Sequence, residues 1–311
     1  MEKFLISKND CGQRLDKFLV KSFPLLPKSI LYKGIRTKKI KVNRKRAEQG
    51  QFLCEGDSIE IFLPPKFLEK NSESDFKYLN YDLNIIYEDD NILIVDKKPG
   101  VSCVPDEHES VNYLANYIKA YLYKQGSFNP DCDNSFAPSL CNRIDKNTGG
   151  IVIAAKNAET LRDINKKIKE HSITKKYLCI VHGIFDKKQD ILYAWMIKDS
   201  ENNIVKVFDE KPDYPNARDM KTGYKVLAEN NNLSLLEITL YTGRTHQIRA
   251  HMAHIGHPLL GDGKYSKNRE DRTKGYKYQA LYSYYTKIDN LEFNVSPSKI
   301  WFVRELFPDY K

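Results

Sequence analysis

The chain has 311 residues, with 50 Lys or Arg against 41 Asp or Glu and a net charge of +9. That length exceeds the usual single domain, and the basic excess favours a polyanionic partner without specifying a fold. No run approaches the roughly 18 apolar residues of a membrane span, and MEKFLISKNDCGQRLDK lacks the apolar core of a signal peptide, so a soluble cytoplasmic chain is expected.

The six cysteines, at 11, 54, 103, 132, 141 and 179, form no C-x-x-C pair, so neither a disulfide framework nor a zinc knuckle is indicated. Charge is concentrated at the start. Residues 1–65 hold 14 Lys or Arg and 7 Asp or Glu, a net of +7. Within them KGIRTKKIKVNRKR (33–46) has eight basic residues and no acid, a footprint suited to a phosphate backbone. Its candidate contacts are Lys33, Arg36, Lys38, Lys39, Arg44, Lys45 and Arg46; a solvated lysine-rich face is the plainer alternative. Leu15, Phe18, Leu19 and Phe23 suit one helix face, and Ile30, Leu31 and Ile35 a second after Pro27. Ile40, Val42, Ile59 and Ile61 alternate with polar neighbours as two short strands, with a turn at Glu55-Gly56-Asp57. Through GQRLDKFLVKSF, IKVN and EGDSIEI this part resembles the S-four-type RNA-binding domain.

Residues 66–80 are polar and aperiodic after Pro64-Pro65 and read as a linker, leaving 81–311 as a second domain. Apolar runs at 84–100, 150–156, 177–185 and 233–243 predict strands. Helices are predicted at 158–171, with Leu161, Ile164 and Ile168 on one face, and at 245–257, with Thr245 as N-cap and Ile248, Met252 and Ile255 on one face. The expected architecture is α+β: a mainly antiparallel sheet with flanking helices, preceded by a small α/β module.

His254-Ile255-Gly256-His257 and the KYSKN that follows imitate class I aminoacyl-tRNA synthetase signatures, but here the tetrapeptide ends a helix, with Gly256 as C-cap. His246, His251, His254 and His257 lack an H-E-x-x-H arrangement, and no Walker P-loop or G-x-G-x-x-G occurs, so no metal or cofactor is expected. GDGKY (261–265) reads as a turn.

NRIDKNTGG carries Arg143 and Asp145 two apart, on one face if the chain is extended there. Alone, this segment is most simply a turn whose Asp caps backbone amides. KKPGVSCVP (97–105), KKYLCIVHG (175–183) and TGRTHQIRAHMAHIGHPLLGDGKY (242–265) accompany it in fixed order. Together they resemble the RluA-type pseudouridine synthases over roughly residues 84–265.

The resemblance implies an isomerase that exchanges a nitrogen-to-sugar bond for a carbon-to-sugar bond in RNA, without cofactor. Asp145 matches the catalytic aspartate, as nucleophile or charge stabiliser, and Arg249 the arginine that aims it. Tyr177 matches the tyrosine that packs on the target base, and Arg143 the arginine that fills the gap left by an extruded uridine. Lys156, Lys176 and Arg244 are candidate phosphate contacts. Asn142 stands where the family usually has His, which puts substrate choice in question. The expected partner is RNA, ribosomal RNA before transfer RNA; no membrane and no obligate protein partner is indicated. A non-catalytic RNA-binding or ribosome-assembly protein on the same fold is the alternative.

Overall fold

The structure is a computed structural model that describes residues 1–68, 75–106, 109–130, 135–199, 201–266 and 269–310. Cys132 and part of the expected linker, residues 69–74, lie outside them.

The N-terminal module runs β1 (Glu2–Leu5), α1 (Leu15–Ser22), α2 (Lys28–Arg36), β2 (Ile40–Val42), β3 (Lys45–Arg46) and β4 (Ser58–Ile61). Its four strands pair in the order β1-β4-β2-β3, all antiparallel. Leu15, Phe18 and Leu19 of the first helix, Phe23 just after it, and Leu31 and Ile35 of the second close a core against Ile40, Val42, Ile59 and Ile61. The apolar periodicity produces this directly, because the 3.6 and 2.0 repeats each place their apolar residues on one side. Between β2 and β3, Asn43 and Arg44 both have positive φ, the geometry of a two-residue hairpin turn, so the loop aims Arg44 and Lys45 at solvent.

The rest of the chain forms β5 (Asn84–Glu88), β6 (Ile92–Lys97), α3 (Leu114–Lys124), β7 (Ser139–Leu140), β8 (Gly149–Ala155), α4 (Ala158–Lys169), β9 (Thr174–His182) and β10 (Gln189–Asp199). It continues through β11 (Ile204–Phe208), β12 (Arg218–Asn230), β13 (Leu233–Leu240), α5 (Gln247–His254), α6 (Arg269–Thr273), β14 (Leu281–Ile288), β15 (Leu291–Asn294) and α7 (Trp301–Leu306). Its sheet runs β11-β10-β12-β13-β9-β14-β8-β6-β5, with β15 on β14 and β7 on β8. Among the described residues only β14 and β8 pair in parallel, so the expected α+β, mainly antiparallel fold is the one observed.

Strands β6 and β8 are buried on both faces, which explains their unbroken apolar runs. Ile92, Ile94, Ile151 and Ile153 point to one side, with Ile164 of α4 and Phe302 and Val303 of α7. Leu93, Val95, Val152 and Ala154 point to the other, with Leu114, Ile118 and Leu122 of α3. Phe76, within the stretch read as a linker, is buried in this second cluster. On β9, Leu178 and Ile180 join the first side, while Tyr177, Cys179 and Val181 pack with Ile248 and Met252 of α5. The two units touch where Asp10 Oδ1 accepts a 2.6 Å hydrogen bond from Ser135 Oγ and Asn9 Oδ1 accepts one from the Ala158 N–H at the start of α4.

Candidate active site

The opening of α5 departs from expectation. Thr245 does not cap it: the helix begins at Gln247, and His246 precedes it in the left-handed conformation (φ 52°). Gln247 takes over the anchoring. Its Oε1 accepts from the Arg244 N–H and from Thr242 Oγ1, and its Nε2 donates to Lys221 O and Thr222 Oγ1 of β12. With these bonds made, a hydroxyl at 245 has no capping role, and the His246 ring is free to approach Tyr265, at 2.9 Å from its hydroxyl.

One turn into α5, Arg249 is 6% exposed and binds two carboxylates. Its Nε and Nη2 donate to Asp262 Oδ2 and Oδ1 at 2.7 and 2.9 Å, a fork on a carboxylate, while Nη1 donates to Asp145 Oδ2 at 3.0 Å. Burial opposes the charge on Arg249, yet Asp262 first and Asp145 second outweigh it and hold the guanidinium above its ordinary pKa. Burial likewise pushes the Asp262 carboxyl up, but Arg249 and the N–H groups of Lys264 and Tyr265 bring it below its usual value. Asp262 is sealed, whereas the Asp145 side chain keeps 27% of its surface open. The arrangement leaves one carboxylate to hold the arginine and the other facing the cleft.

The loop bearing Asp145 is tied from several sides. Thr148 N–H donates to the Asp145 carbonyl, closing the turn, so it is the main chain and not the carboxylate that makes it. Gly149 and Gly150 follow because β14 passes against them: a Cβ on Gly150, at φ +113°, would lie 2.2 Å from Ser283 O. Asn142 Oδ1 accepts from the Ile153 N–H, which gives the unusual asparagine a structural task on β8. Buried Lys97 donates to the carbonyls of Lys98, Val101 and Lys146, joining the KKPG turn to this loop. Burial brings its pKa down to about 8.

Beside these groups lies a cleft of about 1530 Å³, larger than the roughly 300–1,000 Å³ of small-molecule sites. Arg143, Asp145, Tyr177, Arg244 and Arg249 all lie on its wall. The whole stretch from Cys141 to Asn147 borders the cleft, and Ile144 also packs against the cores beneath α3 and α5. Tyr177 is 7% exposed, and burial first, then the charge of Asp145, pushes its phenol up to about 12. The hydroxyl is therefore protonated at neutral pH in the free protein. His246 stands 4.0 Å from Asp145 Oδ2, and burial lowers its pKa despite that carboxylate.

Two of the predicted phosphate contacts are elsewhere. Lys156 is paired with Glu88 at 2.8 Å and donates to Asp89 O, away from the cleft wall. Lys176 is bound to Glu237 at 3.1 Å, because the strand alternation sends it to the face opposite Tyr177. Lys175, one residue earlier, occupies the cleft instead. Arg244 lies on the wall but is paired with Asp219 at 2.7 Å. In the N-terminal module Lys33, Arg36 and Arg46 line a separate cavity, and Lys38, Lys39, Arg44 and Lys45 are exposed beside it. The histidines are dispersed: His251 meets Thr222, His254 meets Asp209 and His257 meets the carbonyl of His182.

The site also involves residues to which no role is assigned from the sequence. Asp262 lies in the GDGKY turn, and Tyr265 closes the same turn. Lys97 and Lys175 stand inside quoted motifs, but nothing in their spacing marks the first as buried and the second as half-buried.

Comparison with known proteins identifies the family of the chain. Residues 91–254 match the RNA pseudouridylate synthase family and residues 13–59 the S4 domain. The chain is 36% identical over 308 residues to an uncharacterized RNA pseudouridine synthase of Mycoplasma genitalium, covering 95% of this chain and 91% of that one. It is 33% identical over 275 residues to ribosomal large subunit pseudouridine synthase C of Buchnera aphidicola, covering 86% and 81%. In fold it is similar to human RNA pseudouridylate synthase domain containing 1, with a TM-score of 0.57 at 20% identity over 74% of this chain and 88% of that one. The chain therefore belongs to the RNA pseudouridylate synthase family, as an RNA-modifying isomerase with an S4 domain ahead of its catalytic domain.

Proposed function

We propose that the chain isomerises uridines of large-subunit ribosomal RNA, with Asp145 as the group that acts on the sugar-base linkage. The observation that carries this reading is the 3.0 Å contact between the Asp145 carboxylate and buried Arg249, at the wall of a cleft with room for an extruded nucleotide. The ribosomal assignment rests on relatives named ribosomal large subunit pseudouridine synthase C.

The chemistry needs the N1–C1′ bond broken, the free uracil turned, a C5–C1′ bond formed and the C5 hydrogen released as a proton. A carboxylate supports the first step either by bonding to C1′ as N1 departs or by taking the C2′ proton on a glycal route, and Arg249 keeps it aimed in both. Tyr177 supplies the face on which the uracil turns. Its protonated hydroxyl favours packing and hydrogen bonding over proton removal until the base is bound. Arg143, exposed at the rim, fills the gap in the RNA.

The test uses large-subunit ribosomal RNA and transfer RNA, each tritiated at uracil C5. The native protein should release tritium from the ribosomal substrate, and Asp145→Asn should release none. Release unaffected by the substitution removes Asp145 from its role, and release from transfer RNA alone removes the ribosomal assignment. Without release from either, the non-catalytic RNA-binding alternative is favoured.

A further inference from the structure

Beside the cleft, on the face of the sheet turned away from the core of β10 and β12, lies a group of aromatic and basic side chains. Strand β10 alternates: Ala194 and Met196 are buried with Val205, Met220 and Ala250, so Ile191, Tyr193 and Trp195 point outward. Tyr193 is 66% exposed and Ile191 43%. Tyr241, just past β13, is 40% exposed. Its ring lies over Gly223 of β12, where an added Cβ would come within 3.1 Å of it.

Lysines stand over these rings. Lys221, paired with Tyr193 across the strands, places Nζ 5.1 Å from that ring's centroid and 4.7 Å from that of Tyr241. Lys211 Nζ is 5.4 Å from the Trp195 ring. Two of the acids nearby are already occupied, Asp219 by Arg244 and Asp190 by Lys187. Lys211 and Lys221 form no ion pair with a carboxylate among the described residues.

The surface is continuous with the cleft, since Tyr241 and Arg244 belong to the cleft wall and Arg244 holds Asp219, which is paired with Trp195. Exposed rings interleaved with unpaired ammonium groups provide what unpaired nucleotides bind: flat faces for bases and positive charge for phosphates. A duplex offers no free base face to such rings.

We propose that Tyr193, Trp195, Tyr241, Lys211 and Lys221 form a second RNA subsite that stacks unpaired bases of the strand leaving the cleft. This rests on the reading of the cleft as the place where the target uridine is held. The occupant is single-stranded RNA because the charge is complementary and the surface runs into the cleft without a break.

The full-length chain with Trp301→Phe retains Trp195 as its one tryptophan, since the sequence has two. Its fluorescence is titrated with a five-nucleotide RNA centred on uridine, the same RNA extended by ten unpaired nucleotides on each side, and a duplex of the longer length. Quenching is expected with the extended single strand and not with the duplex. Tyr193→Ala should raise Kd for the extended RNA roughly tenfold and leave that for the five-nucleotide RNA unchanged, while Tyr193→Phe should bind like the parent.

Unchanged fluorescence together with an unchanged Kd overturns the proposal. So does dimerisation of the native chain that Tyr193→Ala abolishes without an effect on RNA, which would assign the face to a second copy. These readouts need no turnover, so an active Asp145→Asn protein with Trp195 quenching intact would sink the catalytic assignment alone.

Discussion

Arg249 is where the separate parts of the site meet. A guanidinium that is almost wholly buried is stable only with its donors engaged, and Asp262 engages two of them from a fully buried position. Asp145 is thereby relieved of balancing the arginine alone and can stay partly open to the cleft. Asp262→Ala should lower unfolding stability by roughly 3 kcal/mol, because it strands a buried charge, and should cut turnover of bound RNA. Urea denaturation and single-turnover tritium release measure the two effects, and an unchanged denaturation midpoint would contradict the account. The identity of this partner is hidden in sequence because GDGKY has the composition of a turn and is one. Being a turn does not prevent its carboxylate from being buried. Arg143 and Asp145 are legible for the opposite reason: they stand in one short motif, and both border the cleft.

At the level of elements, alternation along β9 decides which cations meet the cleft. Lys175 and Tyr177 lie on the cleft wall, whereas Lys176 turns to Glu237 on the other face. The Lys175 side chain has no hydrogen bond or ion pair to a described residue, and burial brings its pKa down to about 8. Its ammonium form is lost as pH rises through that value, so a phosphate held there should bind more weakly above pH 8. Lys175→Met should weaken RNA binding several-fold at pH 7, Lys175→Arg should keep it and remove the loss above pH 8, and Lys176→Met should leave binding unchanged. Equal effects of the two methionine variants in filter binding would refute the assignment. The uninterrupted apolar strands β6 and β8 and the amphipathic α4 can be read from the chain, since each carries its pattern locally. Helix α3 is not legible in the same way, because LANYIKAYLYK mixes helix spacing with three tyrosines that favour strands. Strands β10 and β12 also escape a sequence reading: polar and charged residues occupy their solvent face and interrupt the apolar runs that reveal the others.

Across the whole molecule, the proposed function gives RNA two places to bind on one chain, the basic N-terminal module and the cleft. Lys38, Lys39, Arg44 and Lys45 project from the module, so replacing all four with Gln should flatten the salt dependence of RNA binding by about 0.7 to 0.9 units for each phosphate left without its cation. Titrations between roughly 50 and 200 mM salt measure this; an unchanged slope would take the module out of RNA binding. By itself the sequence determined where the charge resides, most of the short-range elements, the α+β class and the family to which the motifs belong. Each of these depends on residues close together in the chain. Only the tertiary structure brought Asp145 to Arg249 across 104 positions, supplied Asp262 as the second clamp and turned Lys156 and Lys176 away from the cleft. Those outcomes follow from strand order and facing, with β14 inserted between β8 and β9, and that order is set by packing over the whole domain.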